Sequence, residues 1–388
     1  MDDYIENKLR VRQYIDYTPY KLRGWIDEDN LDLYGLKSNP RALNYIIDKY
    51  GIKSLRTKEV PMGLFYMNPN SMLILEKEEK DLWYRQTYWV HLSQNPVAYD
   101  LLMDRIDLES TTARRLSYTQ RIDWSYIPVN PCMLPMLESQ KYKRKYKFKY
   151  DENRIGYNPN PLCMNLIKKL EFNTDLLYYV CANNSYDTTD YIKTHLDKMT
   201  KKCWNALSEN KYAIKILEEN MDKINWKRLS FNQNASRIIE QNMDKIYWEN
   251  LSCNPGAIHI LEKNIDKINW HTILANPNPN IEKIIEENLD NVMNTNNTPM
   301  NQEDYEKRMW YYLSQHPNLM NMLERNQDKI DYKCLSMNES IFEIDYEALD
   351  SRISIFKEEL IGYAWNPERF QDWCLTDDER NDIKENFG

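Results

Sequence analysis

A basic and aromatic segment, residues 141–150, is the most distinctive candidate for chemistry in this chain of 388 residues. Six positive charges lie within nine residues there, although the whole chain carries a net charge of -9. Basic residues interleaved with aromatic ones grip single-stranded nucleic acid by charge and stacking, and they equally dock on an acidic protein surface. A solvated insertion whose aromatic rings pack on the rest of the protein is the third interpretation. The candidate partner-binding residues are Lys141, Lys143, Arg144, Lys145, Tyr146, Lys147 and Lys149.

Catalytic and metal-binding patterns are poor in comparison. The five histidines lie in different segments, and no two cysteines have the C-x-x-C spacing of a zinc site. The chain contains no Gly-rich phosphate loop, no G-x-S-x-G motif and no H-E-x-x-H motif. We therefore predict a non-enzymatic protein with no catalytic residues, no cofactor, no metal and no small-molecule substrate.

Bulk properties restrict the setting in which the protein works. The pI near 5.3 gives no general attraction to nucleic acid or to an anionic membrane surface. No apolar run is long enough to span a bilayer, and the start MDDYIENKLR lacks the apolar core of a signal peptide. Seven scattered cysteines do not form the pattern of a disulfide framework. These features predict an intracellular protein that is not secreted and spans no membrane.

A sequence repeat of 22 residues sets the positions of the candidate binding residues in the fold. Trp204, Trp226, Trp248 and Trp270 stand 22 residues apart in the phrases KCWNALSEN, INWKRLSFN, IYWENLSCN and INWHTILAN. The shared template is an aromatic residue, two variable residues, Leu, Ser, one variable residue and Asn, often followed by Pro. A fixed period of this kind is typical of a solenoid, in which each short unit buries its apolar face against its neighbours.

Looser copies of the template extend over most of the chain. The positions equivalent to the proline are 40, 69, 96, 131, 159, 184, 211, 233, 255, 277, 317, 339 and 367. Repeat arrays of this extent usually bind other molecules, and the long steps from 96 to 131 and from 277 to 317 indicate loop insertions. About thirteen repeats therefore leave no room for a separate catalytic domain.

Each unit is predicted to contain two short helices. Asn254 suits the cap before the first helix and Pro255 its first position, because the missing proline N–H costs nothing there. Asn264 is placed to end that helix in a left-handed conformation, and Asp266 or Asn269 to cap the second. The predicted helix caps are Asn95, Asn130, Asn210, Asn232, Asn254 and Asn276. The predicted inward-facing aromatic spine is Trp89, Trp124, Trp204, Trp226, Trp248, Trp270 and Trp310.

The predicted fold is all-α, an α-solenoid of about thirteen short two-helix repeats with a 22-residue core period. We expect the array to be elongated or superhelical, with atypical polar units at both ends. The predicted divisions are an N-terminal cap over 1–35, repeats over 36–290, a polar insertion loop over 291–308, C-terminal repeats and cap over 309–375, and a polar tail over 376–388.

The residues also resemble a known family. The segments KLRGWIDEDNLDLYGLKSNPRAL, LSQNPVAYDLL, NPGAIHILEKNIDKINW and ELIGYAWNPERFQDWCL are similar to Asn-Pro repeat proteins of giant nucleocytoplasmic DNA viruses of the mimivirus kind. The resemblance is strongest over 204–290, and at Asn366-Pro367 the family more often has His-Pro. Members mostly have no assigned function, so the resemblance implies an origin and an architecture.

Three functions agree with these observations. The first is a non-enzymatic protein-binding scaffold in the virus particle, a minor capsid or virion-associated component that binds capsid proteins. The second is a soluble adaptor that binds host proteins in the cytoplasm of the infected cell. The third is nucleic-acid binding through residues 141–150, which the acidic composition disfavours.

Overall fold

The computed structural model describes residues 14–51, 54, 62–75, 89–112, 121–139, 145, 150–294 and 300–364. The protein is all-α in character, and in the described residues the only strands are two of three residues each. The α-helices are Leu33–Ser38, Leu43–Tyr50, Met62–Met67, Met72–Leu75, Trp89–Leu92, Tyr99–Thr112, Leu134–Glu138, Cys163–Ile167, Thr174–Ala182, Thr189–Lys193, Lys201–Glu209, Ile214–Glu218, Trp226–Leu229, Ser236–Glu240, Trp248–Ser252, Ile258–Glu262, Ile281–Glu287, Leu289–Val292, Gln302–Gln315, Met320–Arg325, Tyr332–Met337 and Tyr346–Ala364.

Short 3₁₀ helices connect many of these α-helices. Those that begin with the proline of the template are Pro69–Ser71, Pro131–Met133 and Pro255–Ala257. The others are Glu28–Asn30, Glu152–Tyr157, Tyr186–Thr188, Leu196–Lys198, Met221–Lys223, Ile265–Lys267, Ile273–Ala275, Gln327–Lys329 and Glu339–Ile341.

The chain divides into two compact units. The smaller unit contains residues 17–24 and 342–388, and its described part pairs the strands Tyr20–Leu22 and Phe342–Ile344 antiparallel, with Lys21 opposite Glu343. The larger unit contains residues 1–16 and 25–341 and carries the repeats.

A ladder of buried side chains joins the repeats of the larger unit. Asn254 shows the pattern: its Oδ1 accepts from the Gly256 N–H at 2.9 Å, and its Nδ2 donates to the carbonyls of Ser230 at 2.9 Å and Asn232 at 3.0 Å. One amide thus caps its own helix and satisfies two carbonyls of the preceding repeat. We call the residues at this position the ladder residues: Asn39, Asn68, Asn95, Asn130, Asn158, Asn183, Asn210, Asn232, Asn254, Asn276, His316 and Asn338.

A serine stands two positions before six of the ladder residues and makes a second link. Ser208 Oγ donates to the Trp204 carbonyl at 2.7 Å and accepts from the Asn225 N–H of the next repeat at 3.0 Å. Ser230 and Ser252 make the same pair of bonds in the following repeats. Because these hydroxyls and amides are buried, each serves both hydrogen-bonding roles without water.

The ladder closes on itself within the larger unit. Asn39 donates to the carbonyls of Ser336 at 3.2 Å and Asn338 at 2.8 Å, which makes the first ladder residue the successor of the last. The Asp32 N–H likewise donates to Ser336 Oγ at 2.8 Å, as the next repeat does elsewhere. The sequence predicts atypical polar units at both ends but not this contact between the first and last ladder residues. The segment around Asn39 is a junction, because Asp32 and Asn39 donate hydrogen bonds to the repeat that ends at Asn338.

Glycines permit close approach at two of these junctions. A Cβ added to Gly256 would lie 1.8 Å from the Gln233 carbonyl oxygen of the preceding repeat. A Cβ added to Gly35 would lie 2.6 Å from the Lys333 carbonyl oxygen, at the closing junction. Both distances are impossible for a real side chain without movement of backbone.

The tryptophans are less central than expected. Trp89, Trp204 and Trp310 are buried, whereas Trp124, Trp226, Trp248 and Trp270 are half-buried. The aliphatic residue three positions before the ladder residue fills the core, since Leu207, Leu229 and Leu251 are fully buried. Lysine side chains of the following repeat cover some of the indoles, Lys245 lying 4.8 Å from the Trp226 ring and Lys267 5.0 Å from the Trp248 ring. The large indole packs at the edge, where a lysine contributes its aliphatic stem and a cation–π contact.

Two further expectations are corrected. Asn264 has φ -138° and ψ 52°, so the predicted left-handed ending is wrong; its Nδ2 instead donates to the Ile260 carbonyl at 2.9 Å and caps the helix through its side chain. In the predicted loop over 291–308, residues 302–308 belong to the helix Gln302–Gln315, which Asn301 caps by accepting from the Asp304 N–H. The thirteenth predicted repeat, at Asn366-Pro367, lies outside the described residues.

Candidate binding surface

Two of the three variable positions of the repeat share one face. These two lie five and one residues before the ladder residue, four residues apart and on the same side of a helix, whereas the position four residues before it is buried at Ala206, Asn250 and Cys334. The side chains five residues before the ladder residue are exposed in consecutive repeats: Lys227, Glu249, His271, Tyr311, Lys333 and Tyr34. One residue before it, Glu209, Phe231 and Gln315 are also exposed. We call the surface formed by these two outward positions the variable face.

A groove interrupts the variable face between Asn158 and Asn232. Its volume is about 410 Å³, within the range of ligand pockets. The lining residues come from four successive repeats: Tyr157, Tyr178, Ala182, Asn184, Lys202, Asn205, Ala206, Glu209, Asn210 and Arg228. We call this feature the tyrosine groove.

Tyr157 and Tyr178 form its aromatic wall, and Tyr179 packs beside both of them. The ring centroids of Tyr157 and Tyr179 lie 4.8 Å apart, and those of Tyr157 and Tyr178 lie 6.4 Å apart. Burial, and after it the hydrogen bond with Tyr178, raises the pKa of Tyr157 above its usual range. The wall offers apolar ring surface together with hydroxyl groups.

The charges of the groove are unequal. Arg228 Nη1 lies 2.7 Å from Glu209 Oε2, so these two charges neutralise each other across neighbouring repeats. The Lys202 ammonium lies 5.8 Å from the Tyr178 ring centre and forms no ion pair with any residue that the structure describes. Lys202 therefore gives the groove a net positive charge.

The amides of the groove are oriented by their neighbours. Asn225 Oδ1 accepts from the Arg228 N–H at 3.1 Å, so its Nδ2 donates to Asn205 Oδ1 at 2.8 Å. Asn184 Oδ1 accepts from the Lys211 N–H at 3.1 Å. Asn184 and Asn205 thus use their oxygens internally, while the Nδ2 of each donates to no residue in the described ranges; Asn210, the third lining amide, donates its Nδ2 to the carbonyls of Cys181 and Asn183. The arrangement presents hydrogen-bond donors.

A second cavity lies where the ladder takes its longest step. Its volume is about 510 Å³, and its lining includes Asp290, Gln302, Glu306, Trp310 and Lys329. Lys329 lies 5.4 Å from the Trp310 ring, the same contact that covers the half-buried indoles elsewhere. This cavity therefore belongs to the packing of the repeat on the inserted helix Gln302–Gln315.

Most of the predicted basic site lies outside the described residues, namely Lys141, Lys143, Arg144, Tyr146, Lys147 and Lys149. Lys145 is exposed, and its Nζ lies 3.4 Å from Asp107 Oδ1. Tyr150 stacks parallel to Trp124, with 6.4 Å between ring centroids. The described parts of the segment thus contact the repeats.

The predicted caps accept the backbone N–H two residues ahead. These bonds are 3.1 Å for Asn95, Asn130 and Asn232, 2.9 Å for Asn210 and Asn254, and 3.0 Å for Asn276. The sequence-based interpretation of these asparagines did not include their two donor bonds to the preceding repeat. It also did not include the tyrosine groove. The variable positions of the template were the sequence signal that indicates the face on which the groove lies.

Comparison with known proteins identifies no relative: no protein family, curated protein or solved structure matches this chain. None of the described helices has both the length and the apolar character needed to cross a membrane. Across the same described ranges, no cluster of three or more His, Cys, Asp or Glu side chains is arranged to hold a metal ion.

Proposed function

We propose that this chain is a non-enzymatic scaffold that binds other proteins through the variable face of a closed α-solenoid. The observation that carries this proposal is the division of each repeat into two kinds of position. The Leu, Ser and Asn of the template are buried, whereas the described residues five and one positions before the ladder residue are exposed or half-buried. Repeat proteins acquire specificity by varying exposed positions on a constant framework.

The closing junction supports a structural role. In an open array the terminal repeats have neighbours on one side only and separate more readily than internal ones. Here the first and last ladder residues are neighbours, because Asn39 Nδ2 donates to the Asn338 carbonyl. We propose a virion-associated component that binds capsid proteins, with a host-directed adaptor as the alternative that the experiment below separates from it.

Cross-linking mass spectrometry on a tagged copy from its native setting tests the proposal. A face variant carries Lys227→Glu, Phe231→Ser and Tyr311→Ser, all at exposed variable positions. A matched control carries the same kinds of change at Lys215→Glu, Tyr212→Ser and Tyr186→Ser, which are exposed but lie outside the variable positions. We expect the wild type and the control to capture the same partner and the face variant to lose it.

The identity of the partner distinguishes the two destinations. Stoichiometric capture of capsid proteins supports the particle component, and capture of host proteins alone supports the adaptor. A face variant that retains every partner of the wild type would overturn the binding proposal.

A further inference from the structure

We infer that the tyrosine groove binds an extended, acidic peptide segment of a partner protein, with an aromatic or aliphatic side chain of that segment against Tyr157 and Tyr178. This inference rests on the proposed function and gives the chemistry of one part of the variable face.

The donor groups of the groove select an oxygen-rich ligand. Lys202 offers an ammonium group. Asn184 and Asn205 offer their Nδ2 groups, because the Oδ1 of each already accepts a hydrogen bond, at 3.1 Å and 2.8 Å respectively. Glu209 is the only carboxylate among the lining residues, and Arg228 neutralises it at 2.7 Å. Peptide carbonyls and side-chain carboxylates accept from such groups, whereas a basic ligand finds no free carboxylate there.

Charge separates the groove from the rest of the protein. Its lining carries Lys202 and Arg228 against Glu209, a net charge of +1, in a chain whose net charge is -9. An acidic segment is repelled by most of this surface and attracted at the groove. The positive charge of the groove therefore helps to fix where the acidic segment binds and also strengthens its binding.

The aromatic wall supplies the apolar part of the binding free energy. The rings of Tyr157, Tyr178 and Tyr179 support one another at centroid distances of 4.8 to 6.4 Å, so they lose little side-chain entropy when a ligand packs on them. Tyrosine surfaces of this kind are enriched where proteins bind one another.

The length of the groove indicates a peptide. Its lining spans four repeats, from Tyr157 to Arg228, and packed helices lie about 8–10 Å apart. Three such intervals are about 27 Å, which an extended chain covers with about eight residues at roughly 3.3 Å each. A compact small molecule contacts only part of this length.

Fluorescence anisotropy with three fluorescein-labelled ten-residue peptides tests the inference on the full-length chain. Each peptide has a central Tyr-Ser-Tyr flanked by glutamates, glutamines or lysines. We expect the Glu peptide to bind at least tenfold more tightly than the Gln peptide and the Lys peptide not to bind. Binding of the Glu peptide should weaken as salt is raised from 50 to 300 mM, by roughly the screening expected for exposed charges.

Two variants locate the binding. Lys202→Glu should weaken the Glu peptide at least tenfold, and Tyr178→Ala should weaken the Glu and Gln peptides together. The matched control is Lys245→Glu, an exposed lysine over the Trp226 ring and outside the groove, which should change binding less than twofold. Circular dichroism melting of each variant separates a loss of binding from a loss of folding.

Each other outcome overturns the inference. These outcomes are equal binding of the Gln or Lys peptide, binding that survives Lys202→Glu, no binding of any peptide, and tighter binding of a labelled decathymidine than of the Glu peptide. In all of them the protein-binding proposal stands if cross-links to a partner still occur at Lys227, Lys333 or other variable positions. If no partner contacts the variable face at all, the proposed function fails as well.

Discussion

The regular stretch from Asn210 to Asn276 and the closing stretch from Asn276 through His316 and Asn338 to Asn39 are both joined by ladder hydrogen bonds, but the chain connects their repeats differently. In the regular stretch each ladder residue follows the last by 22 residues. In the closing stretch one step takes 40 residues, and the final step has no covalent connection between neighbouring repeats. The donors nevertheless reach carbonyls at the same relative positions.

The difference shows that a repeat is defined by the position of its donors and not by the chain between them. The extra residues before His316 belong to the helix Gln302–Gln315. The last residues of this helix precede His316 as the short helices of the other repeats precede their ladder residues. At the final step, Asp32 and Asn39 supply bonds that a following repeat supplies elsewhere. The closing junction therefore depends on packing alone, and the two stretches should respond differently to the same substitution.

The largest expected effect comes from removing a ladder amide. Asn254→Ala leaves two buried carbonyls without donors and removes a cap, which should lower the free energy of unfolding by about 3–5 kcal/mol. Asn39→Ala removes the same bonds at the closing junction, where the helices Leu33–Ser38 and Tyr332–Met337 pack on each other but are not consecutive in the chain. We expect a smaller loss of global stability and much faster hydrogen exchange in Leu33–Ser38.

Urea titration and hydrogen-exchange mass spectrometry measure these two results. Asn264→Ala is the control, because its one half-buried bond to the Ile260 carbonyl should contribute about 1 kcal/mol. Equal hydrogen exchange across the Asn39→Ala and Asn254→Ala variants would show that the closing junction opens only with the whole array.

Truncation of two tryptophans compares their burial in the two stretches. Trp310 is buried, so Trp310→Ala should lower the free energy of unfolding by about 3–4 kcal/mol. Trp248 is half-buried, and Trp248→Ala should lower it by about 2 kcal/mol because less apolar surface returns to water. Urea denaturation of both variants checks the order, and an equal loss would contradict the peripheral packing of the regular indoles.

Added methyl groups test the two close junctions. Gly256→Ala places a Cβ against the Gln233 carbonyl and should lower the free energy of unfolding by about 2 kcal/mol. Gly35→Ala places one against the Lys333 carbonyl and should mainly open the closing junction, seen as faster hydrogen exchange over Leu33–Ser38. Gly24→Ala is the control, since nothing lies within 4 Å of its added Cβ. If the Gly35→Ala variant exchanges hydrogen over Leu33–Ser38 at the same rate as the wild type, this junction tolerates the added volume.

The smallest effect is the pH response of the one ladder histidine. His316 Nε2 donates to the Asn276 carbonyl at 3.1 Å and Nδ1 accepts from the Asn318 N–H at 3.2 Å, so the neutral ring serves both roles. Burial lowers the pKa of His316 from its ordinary 6.5. The unfolded chain therefore takes up the proton first, and stability that is complete above about pH 6.5 decreases as the pH falls below it.

His316→Asn restores the amide of the other repeats and should remove this part of the pH dependence. The measurement is the urea midpoint at pH 7.5 and pH 5, with the exposed His271→Gln as control. A wild-type midpoint that falls no more than that of His316→Asn would contradict the role of the neutral ring.

The candidate surface was only partly predictable. Which positions face outward follows from the template, because residues four apart on a helix share a side and the buried Leu and Ser define the opposite one. The donor character of the groove depends on Asn225 binding Asn205 and on Lys211 binding Asn184, across repeats. Such orientations arise only when repeats stack.

The helical class, the 22-residue unit and the positions of the capping asparagines could all be predicted from the amino-acid sequence. These features depend on contacts within one unit, and caps, prolines and apolar periodicity encode such contacts locally. The tertiary structure adds that Asn39 contacts Asn338, that the His316 ring donates to the Asn276 carbonyl and that four tryptophans are half-buried. Closure depends on the sum of small rotations between successive repeats, and no local pattern of residues records that sum.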